Sequence, residues 1–507
     1  MTCDPLADAD SRLEALVRPA DWRNPEPAPR YHLVVIGAGT AGLVAAAGAA
    51  SLGARVALIE RSRMGGDCLN HGCVPSKALL ASAKAASATR SAVDFPAVMR
   101  RMRELRTRLA PNDSATRFQG LGVDVFFGSA RFLDRQTIGV GDARLPFRRA
   151  LIATGARAAI PLIPGLAAAG PLTNESLFNL EELPRRFAIL GAGPIGCEMA
   201  QAFARLGSNV VLIESGPSVL PREDRDAAAV LEPSLRRDGV RLRVSATGLR
   251  IEPASPIGHG WTICGTGPAG SWEETADRIL VATGRRPNIE DLNLDQAGVE
   301  CGPQGVVVDD FLRTSNHRVY AAGDVCSPYR FTHAADFMAR TALRNALFFG
   351  RSRLSSLVIP WCTYTDPELA RVGLSEREAM AAGLAVDTLV QPLAEVDRAV
   401  LEAPPFTHAS PDQPFVSDGP QGFVKVLVRR GTDRIVGATL VAPHAGEMIG
   451  ELTLAMQCRL GLGKLGNTIH PYPTVADAIR KLGDQYQRRR LTPRVRSLFR
   501  RWFDLWR

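Results

Sequence analysis

The chain has 507 residues, 46% of them apolar, with nine cysteines and a formal net charge of +9. Size and composition predict about three or four domains with cores of their own and exclude a disordered or fibrous chain, while scattered cysteines in odd number exclude a disulfide framework. The charge excludes a nucleic-acid footprint, because eight Arg against Asp504 put +7 into residues 488–507 and leave +2 for residues 1–487, and such a footprint needs a basic body.

Residues 1–30 read as an N-terminal extension. Met1-Thr2-Cys3-Asp4-Pro5 lacks the basic-then-apolar order of a secretory signal. A helical pattern from Leu6 to Val17 leads into Pro19, Pro25, Pro27 and Pro29, a stiff linker. No apolar run anywhere reaches the roughly 20 residues that span a membrane; scattered cysteines with one specialised pair are a cytosolic pattern, so a protein in the cytoplasm or peripheral at the membrane is expected.

Tyr31-His32-Leu33-Val34-Val35-Ile36 reads as a buried parallel strand. It runs into Gly37-Ala38-Gly39-Thr40-Ala41-Gly42, a small-residue helix, and a second strand ending on Glu60. This is a complete dinucleotide-binding fingerprint. Gly37 permits the tight turn, Gly39 admits a pyrophosphate, Gly42 lets helix and strand pack, and Glu60 suits a ribose. Gly65-Gly66-Asp67-Cys68-Leu69-Asn70-His71-Gly72-Cys73-Val74-Pro75-Ser76-Lys77 follows. Two cysteines five positions apart at the mouth of such a unit suggest a redox-active disulfide held against a flavin, with the next helix favouring a thiolate at its N-terminus. The plainer reading is two unrelated core cysteines.

The fingerprint recurs as Gly191-Ala192-Gly193-Pro194-Ile195-Gly196, with Glu214 ending the second strand. Two such units imply two dinucleotides, most simply FAD and a nicotinamide nucleotide that delivers hydride to it. Ala153-Thr154-Gly155 and Ala282-Thr283-Gly284-Arg285 close the two units, and Ala322-Gly323-Asp324 ends a later strand on a carboxylate. The second unit is thus inserted in the first. The expected α/β fold has two Rossmann-like domains, for FAD at 31–160 and 286–350 and for the nicotinamide nucleotide at 161–285. Beyond Val358 the pattern changes to short alternating strands at Thr363 to Gly373, Gly422 to Val428 and Arg434 to Val441. These suit a C-terminal α+β domain at 356–485.

These motifs, in this order, resemble the flavoprotein disulfide reductases, the class I pyridine nucleotide-disulfide oxidoreductases that include glutathione reductase, dihydrolipoamide dehydrogenase and mercuric reductase. The resemblance implies FAD, NADH or NADPH, and a homodimer whose C-terminal domain completes the partner's active site. By motif, Cys68 resembles the interchange thiol and Cys73 the thiol against the flavin. Lys77 and Glu198 match the charged pair near flavin N5. Gly66, Ala130, Thr154, Gly155, Gly284, Gly323 and Asp324 join the fingerprint residues as cofactor-binding positions. Glu214 favours NADH over NADPH, with Arg222 and Arg225 nearby to compensate.

The chain departs from that family near its C-terminus, in Ile469-His470-Pro471-Tyr472-Pro473-Thr474-Val475-Ala476-Asp477. Asp477 aligns with the carboxylate that orients an acid/base histidine, but Tyr472 takes the histidine position. A tyrosine titrates near ~10 and is a poor base at neutral pH. Mercuric reductase resembles this pattern, yet its C-terminal cysteine pair has no counterpart in Phe503-Asp504-Leu505-Trp506-Arg507. The expected function is therefore mercuric-reductase-like reduction of a small disulfide or a metal or thiol adduct. One alternative is a dihydrolipoamide dehydrogenase using His470 as base. Another is a redox-sensing flavoprotein of low turnover, recruited to a membrane or a partner, and a third is hydride exchange between nucleotides without the cysteines. No bound metal is expected, since Cys3, Cys197, Cys264, Cys301, Cys326, Cys362 and Cys458 lack ligand spacing.

In residues 488–507, Val495, Leu498, Phe499, Trp502, Leu505 and Trp506 keep a helical stripe with arginines mostly off it. That pattern suits an anionic membrane surface or a partner's groove. The plainer reading docks the stripe on the enzyme's own dimer.

Overall fold

The computed structural model describes residues 5–89, 93–254, 260–403 and 419–506; Cys3 and Arg507 lie outside them. It divides into two compact units, Met1–Ser215 with Gly239–Leu357, and Gly216–Asp238 with Val358–Arg507.

The first unit is built on the apolar runs. Val34, Val35 and Ile36 pair in parallel with Ala57, Leu58 and Ile59 on one side and with Ala150, Leu151 and Ile152 on the other. All nine are nearly or fully buried, as expected of strands covered on both faces. Val123–Phe127 adds to the edge beyond Val56–Glu60, and Val319–Ala321 pairs with Ala143–Ile152 on the far side. Between Ile152 and Val319 the chain builds a second parallel sheet, ordered Arg241–Arg243, Asn209–Ile213, Arg186–Leu190 and Arg278–Val281. The insertion leaves and returns through a neck in which Ala156–Ala158 pairs antiparallel with Arg285–Pro287. An α/β fold of two Rossmann-like sheets, the second inserted in the first, is what the repeated fingerprints imply.

The N-terminal extension is docked, not an appendage. Its helix Pro5–Val17 buries Ala9, Leu13 and Val17, and Asp10 pairs with Arg103 and Arg106. The proline-rich stretch then follows the sheet edge, where Trp22 Nε1 donates to the Val125 carbonyl at 3.2 Å. The Asn24 amide both donates to the Phe127 carbonyl and accepts its N–H, at 2.9 and 2.8 Å.

In the second unit, a five-stranded antiparallel sheet runs in the order Pro360–Thr363, Glu368–Gly373, Ile435–Ala442, Phe423–Arg429, Val386–Pro392. The expected strand from Thr363 to Gly373 is two strands, because Asp366-Pro367 breaks the ladder in the turn between them. Val386–Pro392 went unforeseen: as an edge strand it is only partly buried, so its apolar signal is weak. The helix Arg225–Arg237, which follows the second fingerprint in the chain, belongs to this unit. Lys425, buried in the sheet, anchors its start through Asp224 and Asp226, each at 2.9 Å.

Candidate active site

The two fingerprints are built alike. A Cβ on Gly42 would stand 1.8 Å from the Gly37 carbonyl oxygen, and one on Gly196 would stand 1.9 Å from that of Gly191. Only glycine lets each helix come this close to its loop. Gly37 and Gly191, at φ +100 and +97, press in turn against the carbonyls of Ala153 and Ala282, where the Ala-Thr-Gly turns begin.

The middle glycines differ. A Cβ on Gly193 would meet no atom within 4 Å, and one on Gly39 would meet only the Gly66 Cα at 3.8 Å. Each is the N-cap of its helix, Thr40–Ser51 or Pro194–Arg205, and no side chain caps either start. Open space before uncapped backbone N–H groups fits a pyrophosphate. Two dinucleotides therefore fit the two loops.

Each acid that ends a fingerprint strand steadies its loop. Glu60 Oε2 accepts the Ala38 N–H at 2.8 Å and Oε1 that of Ser62 at 2.7 Å. Glu214 Oε2 accepts the Ala192 N–H at 2.7 Å. Burial pushes the Glu60 carboxyl above its ordinary value. Gly37, Glu60, Ala130 and Thr154 line one cavity. Thr154 and Asn288 close its end, each donating from its side chain to the other's carbonyl, at 2.6 and 2.9 Å. Gly155, Gly284 and Gly323 all take positive φ at strand ends.

The cysteine loop is packed onto the first fingerprint, since a Cβ on Gly66 would lie 2.5 Å from the Gly39 Cα. Cys68 sits on the short helix Gly66–Asn70, and Cys73 opens the helix Cys73–Thr89. Both are free thiols, hydrogen-bonded to each other. The Cys73 thiol is brought down to about 6, chiefly by the hydrogen bond from Cys68 and further by Thr332 and the Lys77 charge. Its partner Cys68 is pushed the other way, by the same hydrogen bond and by burial. Thr332 Oγ1 lies 3.3 Å from Cys73 Sγ. Lys77, one turn along, meets Glu198 Oε2 at 2.7 Å, and only 6% of the Glu198 side chain is exposed.

Arg285 ties the loop to the last strand of the parallel sheet. Its guanidinium meets Asp67 at 2.9 Å and Asp324 at 3.4 Å. Burial pushes the Asp324 carboxyl up, against the pull of Arg285. Asn174 donates to the other Asp67 oxygen at 2.8 Å. Thr332, Asn174 and the bridging role of Arg285 escaped the sequence reading. Only Arg285, beside the second Ala-Thr-Gly, stood near a motif.

Tyr472, Asp477 and His470 all lie in the second unit. Tyr472 is 74% exposed, and its hydroxyl donates to Asp397 at 2.8 Å. That carboxylate holds the phenol above its ordinary value. Asp477 pairs with Arg480 at 2.7 Å and Lys481 at 3.7 Å. His470 Nε2 lies 3.0 and 3.1 Å from the two oxygens of Glu451, and Nδ1 lies 2.9 Å from the Thr468 carbonyl. Both ring nitrogens face acceptors. Among the described residues no cluster of three or more His, Cys, Asp or Glu suits a metal.

Residues 31–339 match the family model described as pyridine nucleotide-disulphide oxidoreductase, and residues 359–482 match that family's dimerisation domain. A mercuric reductase of Bacillus cereus is 34% identical over 462 residues, which cover 89% of this chain and 70% of the relative. A dihydrolipoyl dehydrogenase of Thermus scotoductus is also 34% identical, over 461 residues that cover 89% and 96%. The solved HOCl-induced flavoprotein disulfide reductase RclA of Escherichia coli superposes with a TM-score of 0.77 at 29% identity, covering 90% of this chain and 99% of that one.

Proposed function

The chain belongs to the pyridine nucleotide-disulphide oxidoreductases, FAD-dependent enzymes that use NADH or NADPH, and we propose that it reduces a small disulfide, thiol adduct or thiol-bound metal through Cys68 and Cys73. The observation that carries this reading is the placing of the two thiols on the first nucleotide loop, with Thr332 Oγ1 3.3 Å from Cys73 Sγ and the Lys77–Glu198 pair one turn along. Bound FAD supplies two-electron chemistry between the nicotinamide and sulfur. Gly37, Gly39, Gly42 and Glu60 would hold it at the first loop, with Asp324 beside its ribityl chain. Gly191, Gly193, Gly196 and Glu214 would hold the nicotinamide nucleotide. A carboxylate fixed at the Glu214 position repels a 2′-phosphate, so NADH is the proposed donor.

With a disulfide acceptor, the chain's own groups suffice for proton transfer. Cys73, the thiolate of the pair, is the base that takes the Cys68 proton as Cys68 attacks. Cys68 attacks one acceptor sulfur, forming a mixed disulfide and releasing one thiolate. That thiolate takes the proton from Cys73, and Cys73 then displaces the second thiolate as the Cys68–Cys73 bond closes. Two electrons have left the protein, and the acceptor's S–S bond has become one thiol and one thiolate. Since the Cys73 thiolate serves as the base for Cys68, Tyr472 and His470 are not needed in that role.

The working form is the homodimer that the dimerisation domain serves, placed in the cytoplasm, where thiols are kept reduced. The test is an anaerobic titration of the FAD-loaded protein with NADH and then NADPH, followed by absorbance. The expected result is a long-wavelength band after two electrons, reached at lower NADH than NADPH and abolished in Cys73→Ser. Bleaching without that band, or full turnover of a disulfide by Cys68→Ser, overturns the reading. Absence of turnover with any disulfide, quinone or metal acceptor would favour a redox sensor instead. Turnover that survives loss of both cysteines would favour hydride exchange between nucleotides.

A further inference from the structure

The C-terminal helix Pro493–Asp504 buries none of its residues. Leu498 is 67% exposed, Trp502 52% and Trp506 72%. At about 100° per residue, Val495, Leu498, Phe499, Trp502, Phe503, Leu505 and Trp506 fill one arc of roughly 160°. Arginines border it on both sides, Arg494 and Arg501 along one edge, Arg496 and Arg500 along the other. None of these four takes part in an ion pair among the described residues. Trp502 and Trp506 lie side by side with ring centroids 5.8 Å apart, and Phe499 and Phe503 lie 6.4 Å apart.

We infer that this helix docks the enzyme on an anionic lipid surface. The charge pattern selects that occupant. Two rows of guanidinium groups flanking a broad apolar arc match phosphate headgroups on either side of a helix lying in the interface, with its aromatic rings at headgroup depth. The preceding Arg488, Arg489 and Arg490 extend the basic surface, whereas the rest of the chain is near neutral and adds little pull. The Thr492 hydroxyl accepts the Val495 N–H at 3.4 Å, and Pro493 stands in the first turn. A helix this short is marginal by itself, and an apolar surface that takes up its stripe stabilises it. Among the described residues no helix is long and apolar enough to cross a membrane, so docking here is peripheral.

The test is co-sedimentation of the full-length, FAD-loaded protein with vesicles of phosphatidylcholine alone or with phosphatidylglycerol. The expected result is binding at least tenfold tighter to the anionic vesicles, weakened by high salt, with a blue shift of tryptophan emission. The double variant F499E/W502E and a chain ending at residue 490 should both lose it and keep wild-type reduction by NADH in solution. Equal sedimentation of wild type and F499E/W502E overturns the inference, as does absence of wild-type binding. Conversion of the lipid-free dimer to monomer by F499E/W502E also overturns it, and shows instead that the stripe packs on a second copy of the chain.

Discussion

Lys77 and Glu198 stand 121 residues apart, each on a helix of a different nucleotide-binding loop region, and meet at 2.7 Å. Their contact fixes the cysteine helix against the helix of the second fingerprint. The carboxylate is nearly enclosed while the lysine is about one third exposed.

That asymmetry makes the two partners unequal. Lys77→Met leaves an enclosed carboxylate without its cation and is expected to lower the melting temperature more than Glu198→Gln, which leaves a lysine able to reach water. Both should slow anaerobic reduction by NADH tenfold or more, because the charge beside the flavin site is changed. Stopped-flow absorbance and differential scanning calorimetry check the two halves.

Cys73 titrates far below an ordinary thiol, at about 6. Alkylation of the reduced protein by iodoacetamide should be fast at pH 7 and should fall as pH drops through 6 and the thiolate is protonated. Thr332→Val removes a hydrogen bond to that thiolate and should move the midpoint upward, and Thr332→Ser should restore it. Cys68 is pushed upward and should react appreciably only in alkaline solution. Peptide mapping after alkylation distinguishes the two sites.

Arg285 offsets two carboxylates at once, Asp67 and Asp324. Arg285→Met is expected to push the Asp324 carboxyl still further up and to cost about 3 kcal/mol of stability, as for loss of one partner from a buried pair. The FAD-to-protein ratio after gel filtration should fall, and fall further at acidic pH as Asp324 is protonated. Arg285→Lys should rescue little, since one ammonium does not reproduce the two-sided guanidinium contact.

The N-terminal helix lies outside the span matched by the family model, which begins at residue 31, yet Leu13 is 2% exposed. Leu13→Ala should cost about 2–5 kcal/mol. Asp10→Ala should affect the cysteine loop as well, because Arg106 bonds both Asp10 and the Asn70 carbonyl, at 2.8 and 3.0 Å. Thermal unfolding and hydrogen exchange around residues 66–73 measure both effects.

What was legible in the sequence was whatever local sterics impose. The fingerprint glycines could be read because a Cβ at residue 42 or 196 would collide with a carbonyl only five residues back. The acids ending the second strands could be read because each bonds a loop amide 22 residues away inside one repeating unit. Thr332 reaches Cys73 across 259 residues and Arg285 meets Asp67 only through the folded sheet, so neither left a local signature. Asp477 could be read by its alignment with a familiar position, and its contacts to Arg480 and Lys481, one turn along the helix, are local as well.

Asn24 has a consequence of another kind. A bare outer strand is a template on which a second chain can build, and proteins blunt such strands with side chains or loops. Here one amide occupies both hydrogen-bonding groups of Phe127, and Trp22 takes the carbonyl of Val125. The segment before residue 31 thereby covers hydrogen-bonding groups at the open margin of the parallel sheet with which a second chain would otherwise pair.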